Sequence, residues 1–351
     1  MFLENKVMHI NLIEELLGID TQNNEPQQMA ASLSEVEQFL SHLSALKDED
    51  LQNRKCQQWV SSQYQEFSKY LRLVAGLPNK YVYSPQLNVL IDLCRDLGVF
   101  KVYSMMSGPG REILRSYEFV ENSLNQEMYH QLVWSLNCRF QTRSFKALLS
   151  ARQRESRVRY QDYAKYINTL FEHNDRLIVI RIDLGYAVKQ AVALNLDRAS
   201  SDLDHLLANR RSNKLFDGMK GYIVKTELGV MKDIHFHALL FFNGSERHGG
   251  SHVYLAKEIG EYWKNEITKG AGVYWNSNAH IQDFVQQGTC GIGLIHWSDQ
   301  EMRKNLLEKV LNYLLKNDQF FKPKGAERYK LLRRGQCAPM VTKKGRPRQL
   351  T

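Results

Sequence analysis

The chain has 351 residues, 43% of them hydrophobic and 24% charged, with a formal net charge of +9. This composition supplies apolar surface for two domains with their own cores and excludes a chain disordered by composition, and no apolar run is long enough to span a membrane as a helix. The opening MFLENKVMHINLIEELLGID lacks the basic, apolar and small-residue order of a secretory signal. Five scattered cysteines without a C-x-x-C pair argue against a disulfide framework or a structural zinc site, so the expected setting is the cytoplasm.

Helical patterns dominate the first 170 residues. ASLSEVEQFLSHLSALK (31–47) has apolar residues at helical spacing, CQQWVSSQYQEFSKYLRLVAGL (56–77) stops at Gly-Leu-Pro, and further helices are predicted over about 86–98 and 123–153. ARQRESRVRY (151–160) is strongly polar and marks the predicted end of a mainly helical N-terminal domain, residues 1–155. DYAKYINTLFEHND reads as one more helix. From 176 the character changes: RLIVIRIDLGY (176–186), GYIVKTELG (221–229) and IHFHALLFFNG (234–244) read as strands, the last two forming an antiparallel hairpin across a short turn. YLAKEIGEYWKNEITKG (254–270) reads as a helix and GVYWNSN (272–278) and CGIGLIHW (290–297) as short strands. SDQEMRKNLLEKVLNYLLKND (298–318) reads as a helix opened by a capping box of Ser298 and Glu301. The order predicts an α+β domain over 160–335, a central antiparallel sheet with flanking helices.

Within IHFHALLFF, His235 and His237 project from one face of the strand and Ile234, Phe236 and Ala238 from the other. Glu227, beside the turn on the partner strand, is expected across from them. A carboxylate with two imidazoles is a common ligand set for a divalent ion that keeps positions open for substrate. Downstream, Tyr313 and Lys316 fall on one face of the last predicted helix, leaving Leu311, Leu314 and Leu315 to pack on the sheet. A tyrosine hydroxyl attacks a phosphodiester when a metal ion neutralises the charge developing on the phosphate, and the product is a phosphotyrosine. Lys316 would hold the phosphate or favour the phenolate. Asp183 in IRIDLGY is within reach of the site from the adjacent first strand but is equally a structural strand-end acid, and His296 in LIHW has no defined direction, so neither is counted among the site residues.

The pair His235-Phe236-His237 in an apolar strand, followed by a helical Tyr313-Leu314-Leu315-Lys316, resembles the HUH endonucleases, the nickases that start rolling-circle replication, conjugation and some transpositions. Within that superfamily GYIVKTELG, HFHALLFFNGS, EIGEYWKNEITKGAGVYWNSN, CGIGLIHW and VLNYLLKNDQFFKPK resemble the gene-II-type replication initiators of filamentous phages and their prophage relatives, over about residues 160–335. The resemblance implies an HUH or Rep-like nuclease domain that nicks one strand at an origin, keeps the 5′ end on Tyr313, releases a 3′-OH that primes synthesis and later rejoins the strand. It implies His235, His237 and Glu227 as ligands of Mg2+ or Mn2+ and Lys316 as the helix lysine. It also implies origin DNA, single- and double-stranded, as substrate, a host helicase or polymerase as a candidate partner, and the bacterial cytoplasm as location. Some phage initiators carry a second tyrosine one turn earlier on this helix. Here Lys309 and Val310 stand there, which points to a single-tyrosine enzyme.

From residue 322 to the end, ten Lys or Arg face one acid, Glu327, so this segment carries the whole net charge. Such focused charge is the footprint of a nucleic-acid ligand. Arg333, Arg334, Lys343, Lys344, Arg346 and Arg348 are the expected DNA contacts, and KKGRPRQ (343–349), in the basic tail 336–351, resembles an AT-hook. Two other function classes stand beside the nickase. An amidohydrolase needs eight strand-helix units with H-x-H near the start, which the long helical N-terminal part disfavours. A non-catalytic origin-binding or regulatory module is the stronger rival. For residues 1–155, origin recognition, oligomerisation and binding of a host replication factor are open alternatives.

Overall fold

The structure, a computed structural model, describes residues 25–77, 81–107, 112–120, 123–187, 195–228, 234–315, 321–323 and 328–336. The chain divides into two compact units, one from the described residues of Gln22–Glu155 with Asp318–Gly325, the other from those of Ser156–Asn317 with Ala326–Thr351. Among the described residues no helix is long and apolar enough to cross a membrane.

The N-terminal unit packs the helices Glu25–Ala45, Arg54–Ser62, Tyr64–Ala75, Pro85–Asp96 and Gln126–Gln141 around Leu40, Leu43, Phe67, Leu71, Leu87, Leu90, Tyr129 and Leu132. Buried polar groups close the helix ends, as they must where water is excluded. Asn137 Nδ2 donates to the carbonyls of Leu43 and Leu46, both at 3.0 Å, and Tyr129 Oη donates to Val60 O at 2.6 Å. The mainly helical reading missed three strands here. β1 (Tyr81–Tyr83) pairs with β9 (Phe321–Pro323), and β2 (Phe100–Ser107) forms a hairpin with β3 (Glu112–Phe119). The return of 321–323 to β1 takes that segment out of the expected 160–335 domain, a long-range pairing that local pattern does not encode. The division between the two units falls after Glu155, within the polar stretch 151–160; that stretch lies inside one continuous helix, Arg143–His173, and its charges are the solvated side of that helix.

The C-terminal unit is an antiparallel sheet flanked by helices. β4 (Arg176–Tyr186), β5 (Met219–Leu228), β6 (Ile234–Asn243), β7 (Gly272–Asn276) and β10 (Leu332–Arg334) run in the order β10-β5-β6-β4-β7, and β8 (Gly293–His296) also pairs with β4. β7 and β8 share one edge of β4, and Asn278 bridges the gap between them. Its Oδ1 accepts from Arg181 N at 2.8 Å and its Nδ2 donates to Val179 O at 3.0 Å, standing in for a strand residue. Both faces of the sheet are covered, which is why β4 is buried without a break from Leu177 to Leu184. Ile178, Ile180, Ile182, Phe236 and Leu240 meet a core with Leu203, Leu206, Leu255 and Trp263 from the helices that follow β4 and β6. The first of those helices, Leu196–Asn209, was not among the predicted elements.

The opposite face packs Leu177, Val179, Ile223, Leu239 and Phe241 against Tyr166, Ile167 and Leu170 and against Leu306, Val310, Leu311, Leu314 and Leu315 of the last helix. That helix is capped by Asp299, whose Oδ1 accepts from Met302 N at 2.9 Å, not by Ser298 as the capping-box reading had it; Ser298 Oγ instead meets His296 Nδ1 at 2.7 Å. Gly291 permits the close approach of the segment before β8 to this helix: a Cβ there would lie 2.4 Å from Leu306 N and 2.7 Å from Asn305 C. Backbone cannot yield as a side-chain tip can, so Gly291→Ala is expected to cost ~1–3 kcal/mol, read as a lowered denaturation midpoint. An unchanged midpoint would refute this tight contact.

Candidate metal and tyrosine site

Sheet register builds the site. His235 pairs with Glu227 and His237 with Lys225 on β5, while on its other side His237 pairs with Asp183 on β4. Cross-strand partners share a face, so these five residues and Arg181, two positions from Asp183, all project toward the face covered by the last helix.

Glu227 Oε2 lies 2.6 Å from His237 Nε2 and 3.5 Å from His235 Nε2, and the two imidazoles meet edge on with centroids 4.9 Å apart. One ligand atom from each of Glu227, His235 and His237 falls within 4.8 Å of the others. The cluster opens on one side: the side chains of His235 and Glu227 keep 34% and 31% of their exposure, whereas His237 and Asp183 are buried. His237 Nδ1 is 2.7 Å from Asp183 Oδ1. That hydrogen bond fixes the ring with Nε2 toward Glu227, the arrangement by which a carboxylate orients a metal-binding histidine.

Burial disfavours a charged imidazole, but Asp183 and then Glu227 outweigh it and push His237 up to about 9. Burial also opposes charge on Glu227, yet hydrogen bonds from His235 and His237, with their charge, hold its carboxylate well below the usual range. In this state a proton joins His237 to Glu227. The donor set fits a divalent ion: one carboxylate oxygen and two imidazole nitrogens converge, the buried histidine is oriented from behind, and the open side leaves positions for substrate. Mn2+ at ~100 times its Kd is expected to stabilise the chain by about 2.7 kcal/mol, and His235→Ala with His237→Ala to remove this gain. Equal thermal shifts in the double variant would place the ion elsewhere.

Tyr313 stands beside this cluster. Its ring is edge on to His237, centroids 6.1 Å apart, and the Arg181 guanidinium lies over it, 4.7 Å from the ring centre. Burial, then the charges of Glu227 and Asp183, push the phenol up to about 12, against the opposing charge and hydrogen bond of Arg181. The helix reaches this position through a π-helical turn, Leu306–Leu311, directly before Asn312–Leu315. Such a turn holds one residue more than an α-helical turn and rotates the residues beyond it by about 100°, a device frequent at functional sites. Leu311, Leu314 and Leu315 are buried on the sheet while Tyr313 is only partly buried.

The other expected residues are distributed differently. Lys316, Lys343, Lys344, Arg346 and Arg348 lie outside the described residues. Arg333 and Arg334 sit on the edge strand β10 and tie it to helices on both faces. Arg333 pairs with Asp204 and donates to Ser200 Oγ at 2.7 Å, and Arg334 donates to Asp162 at 3.0 and 3.1 Å. With Arg210, Arg211 and Lys330 they line one basic surface hollow. His296 is turned to Ser298 and takes no part in the cluster. The sequence places Asp183 within reach of the site without assigning it a role, and it leaves out Arg181 and Lys225. Their signal was parity, since each occupies the same alternate position as the histidines on a flanking strand. Among protein-family models, curated proteins and solved structures, none matches this chain.

Proposed function

We propose that the C-terminal unit is a single-tyrosine, metal-assisted DNA nickase of the HUH type that starts rolling-circle replication. The observation that carries this reading is the approach of Tyr313 to the Glu227, His235 and His237 cluster, ring to ring with His237 at 6.1 Å, on the face where the cluster lies. A hairpin that carries Glu227, His235 and His237 meets a tyrosine about 76 residues further along the chain, and these residue types are those a phosphotyrosine-forming reaction uses.

A hard divalent ion held by Glu227, His235 and His237, Mn2+ or Mg2+, would supply Lewis-acid neutralisation of the phosphate and offset the two carboxylates that keep the phenol protonated. Tyr313 is the nucleophile. Its Oη bonds to phosphorus and the bond from phosphorus to O3′ breaks. The phenol proton passes to solvent through the open side of the cluster, and O3′ takes up a proton from solvent, leaving a 3′-OH and a 5′ end on the tyrosine. Asp183 keeps His237 in register throughout. The reverse attack by O3′ rejoins the strand. Lys316 as a phosphate-holding helix lysine and the basic residues from 333 onward as DNA contacts belong to the same reading.

The test is incubation of the full chain with labelled single-stranded origin oligonucleotides and Mn2+, followed by denaturing electrophoresis and peptide mapping. A covalent adduct on Tyr313 is expected. Binding of oligonucleotides with no adduct across a library of origins would favour the non-catalytic origin-binding module instead.

A further inference from the structure

Arg181 is a charged residue in the middle of an apolar strand, and it is 7% exposed. Its backbone is fixed by Asn278, its guanidinium lies over Tyr313 and hydrogen-bonds to that side chain, and its Nη2 is buried with no hydrogen-bond partner. A buried donor without a partner costs about 1–3 kcal/mol, more when it is charged. Nothing in packing requires that cost, since β4 supplies apolar residues at the two preceding interior positions of this face, Leu177 and Val179. The unpaired nitrogen belongs to a planar fork of donors, the geometry that matches phosphate oxygens, and it sits two residues along the strand from Asp183, which holds His237.

We propose that Arg181 is a second phosphate-holding catalytic residue of this site beside Lys316: one part of its guanidinium orients the Tyr313 hydroxyl while Nη2 donates to a non-bridging oxygen of the phosphodiester under attack. The guanidinium carbon lies 4.7 Å from the Tyr313 ring centre, so a phosphate brought to the Tyr313 hydroxyl also comes to Arg181. Nucleophile and target are then gripped by one rigid group, a proximity effect supplied from the sheet rather than from the mobile strand of substrate. In the covalent step Arg181 forms and breaks no bond. Tyr313 Oη joins phosphorus, O3′ leaves, and the guanidinium keeps its proton. This assignment deepens the nickase reading and rests on it for the covalent step, but the anion site itself does not.

Two arms separate the failures. In metal-free buffer, inorganic phosphate is expected to raise the melting temperature of wild type and of Arg181→Lys, with the affinity at least ~10-fold weaker in Arg181→Gln. Equal phosphate affinity in wild type and Arg181→Gln overturns the assignment whatever the nickase does. In the second arm, single-turnover adduct formation is expected to fall about 10²–10³-fold in Arg181→Gln and to recover in part in Arg181→Lys. A neutral methylphosphonate at the cleaved position should bind Tyr313→Phe weakly, and should lose this disadvantage in the Tyr313→Phe, Arg181→Gln double variant. An unchanged disadvantage, or a wild-type adduct rate in Arg181→Gln, overturns the assignment. A merely structural Arg181 would leave the methylphosphonate discrimination in place, and the Mn2+ thermal shift of each variant reports that its site is folded. Absence of any adduct with wild type would sink the nickase reading and leave the phosphate arm to decide on Arg181.

Discussion

A Tyr313→Phe protein is expected to fold and to bind Mn2+ and oligonucleotides as wild type does, while its covalent adduct and its nicking of supercoiled origin plasmid fall by about 10⁴-fold or more, the scale seen when a nucleophile is deleted. Phe keeps the ring beneath the Arg181 guanidinium and edge on to His237, so packing survives and only Oη is lost. The effect is therefore chemical. Lost adduct with retained melting temperature and oligonucleotide affinity assigns the nucleophile. A Tyr313→Phe chain that nicks at the wild-type rate removes Tyr313 from the reaction and the HUH reading with it.

The largest stability effect is expected in the N-terminal unit, at Glu37. This side chain is buried on the helix Glu25–Ala45, its Oε1 has no hydrogen-bond partner, and burial pushes its carboxyl from 4.5 up to about 7 against the opposing Ser84 hydrogen bond and Arg152 charge. Ser84 Oγ accepts from Leu87 N at 3.1 Å as the N-cap, and its hydroxyl proton is donated to Glu37. The folded state thus holds a proton that the unfolded chain gives up. Below the unfolded value of 4.5 both states are protonated and the unit is at its best with respect to this group. Stability then falls as pH rises through about 7 and is level above it. Glu37→Gln keeps the shape without the charge. It is expected to stabilise the unit above neutral pH by on the order of 3 kcal/mol and to flatten the slope between pH 5 and 7, measured by urea unfolding across that range. An identical slope in the two proteins would show that Glu37 is not buried as an acid.

Much of the site could be read from the chain itself, because alternation along a strand is a local property. His235 and His237 share a face whatever surrounds them, Glu227 falls across a short hairpin from them, and Leu311, Leu314 and Leu315 must turn Tyr313 away from the core they fill. Asp183 could be placed near the site from its strand but not given a role there, and Arg181 was passed over, because the pairing of β4 with β6 is not encoded in β4 alone. That neighbour is set by which of several apolar strands pair, a choice made by the whole sheet. The π-helical turn before Tyr313 was equally hidden, since LLEKVL reads as ordinary helix; in the structure its first residue, Leu306, lies against Gly291.

In the N-terminal unit the helices were legible from their 3.6-residue period, and the hairpin β2-β3 and the pairing of β1 with β9 were not. Short strands need partners before they are stable, and the partner of β1 lies more than two hundred residues away. The amino-acid sequence by itself determined the elements, their apolar faces and the residue types of a metal-and-tyrosine site. The tertiary structure alone decided that Asp183 orients His237, that Arg181 lies over Tyr313 and that the tyrosine meets the cluster at all, because each of these depends on strand order and helix phase, which arise from packing summed over the whole unit rather than from any local run of residues.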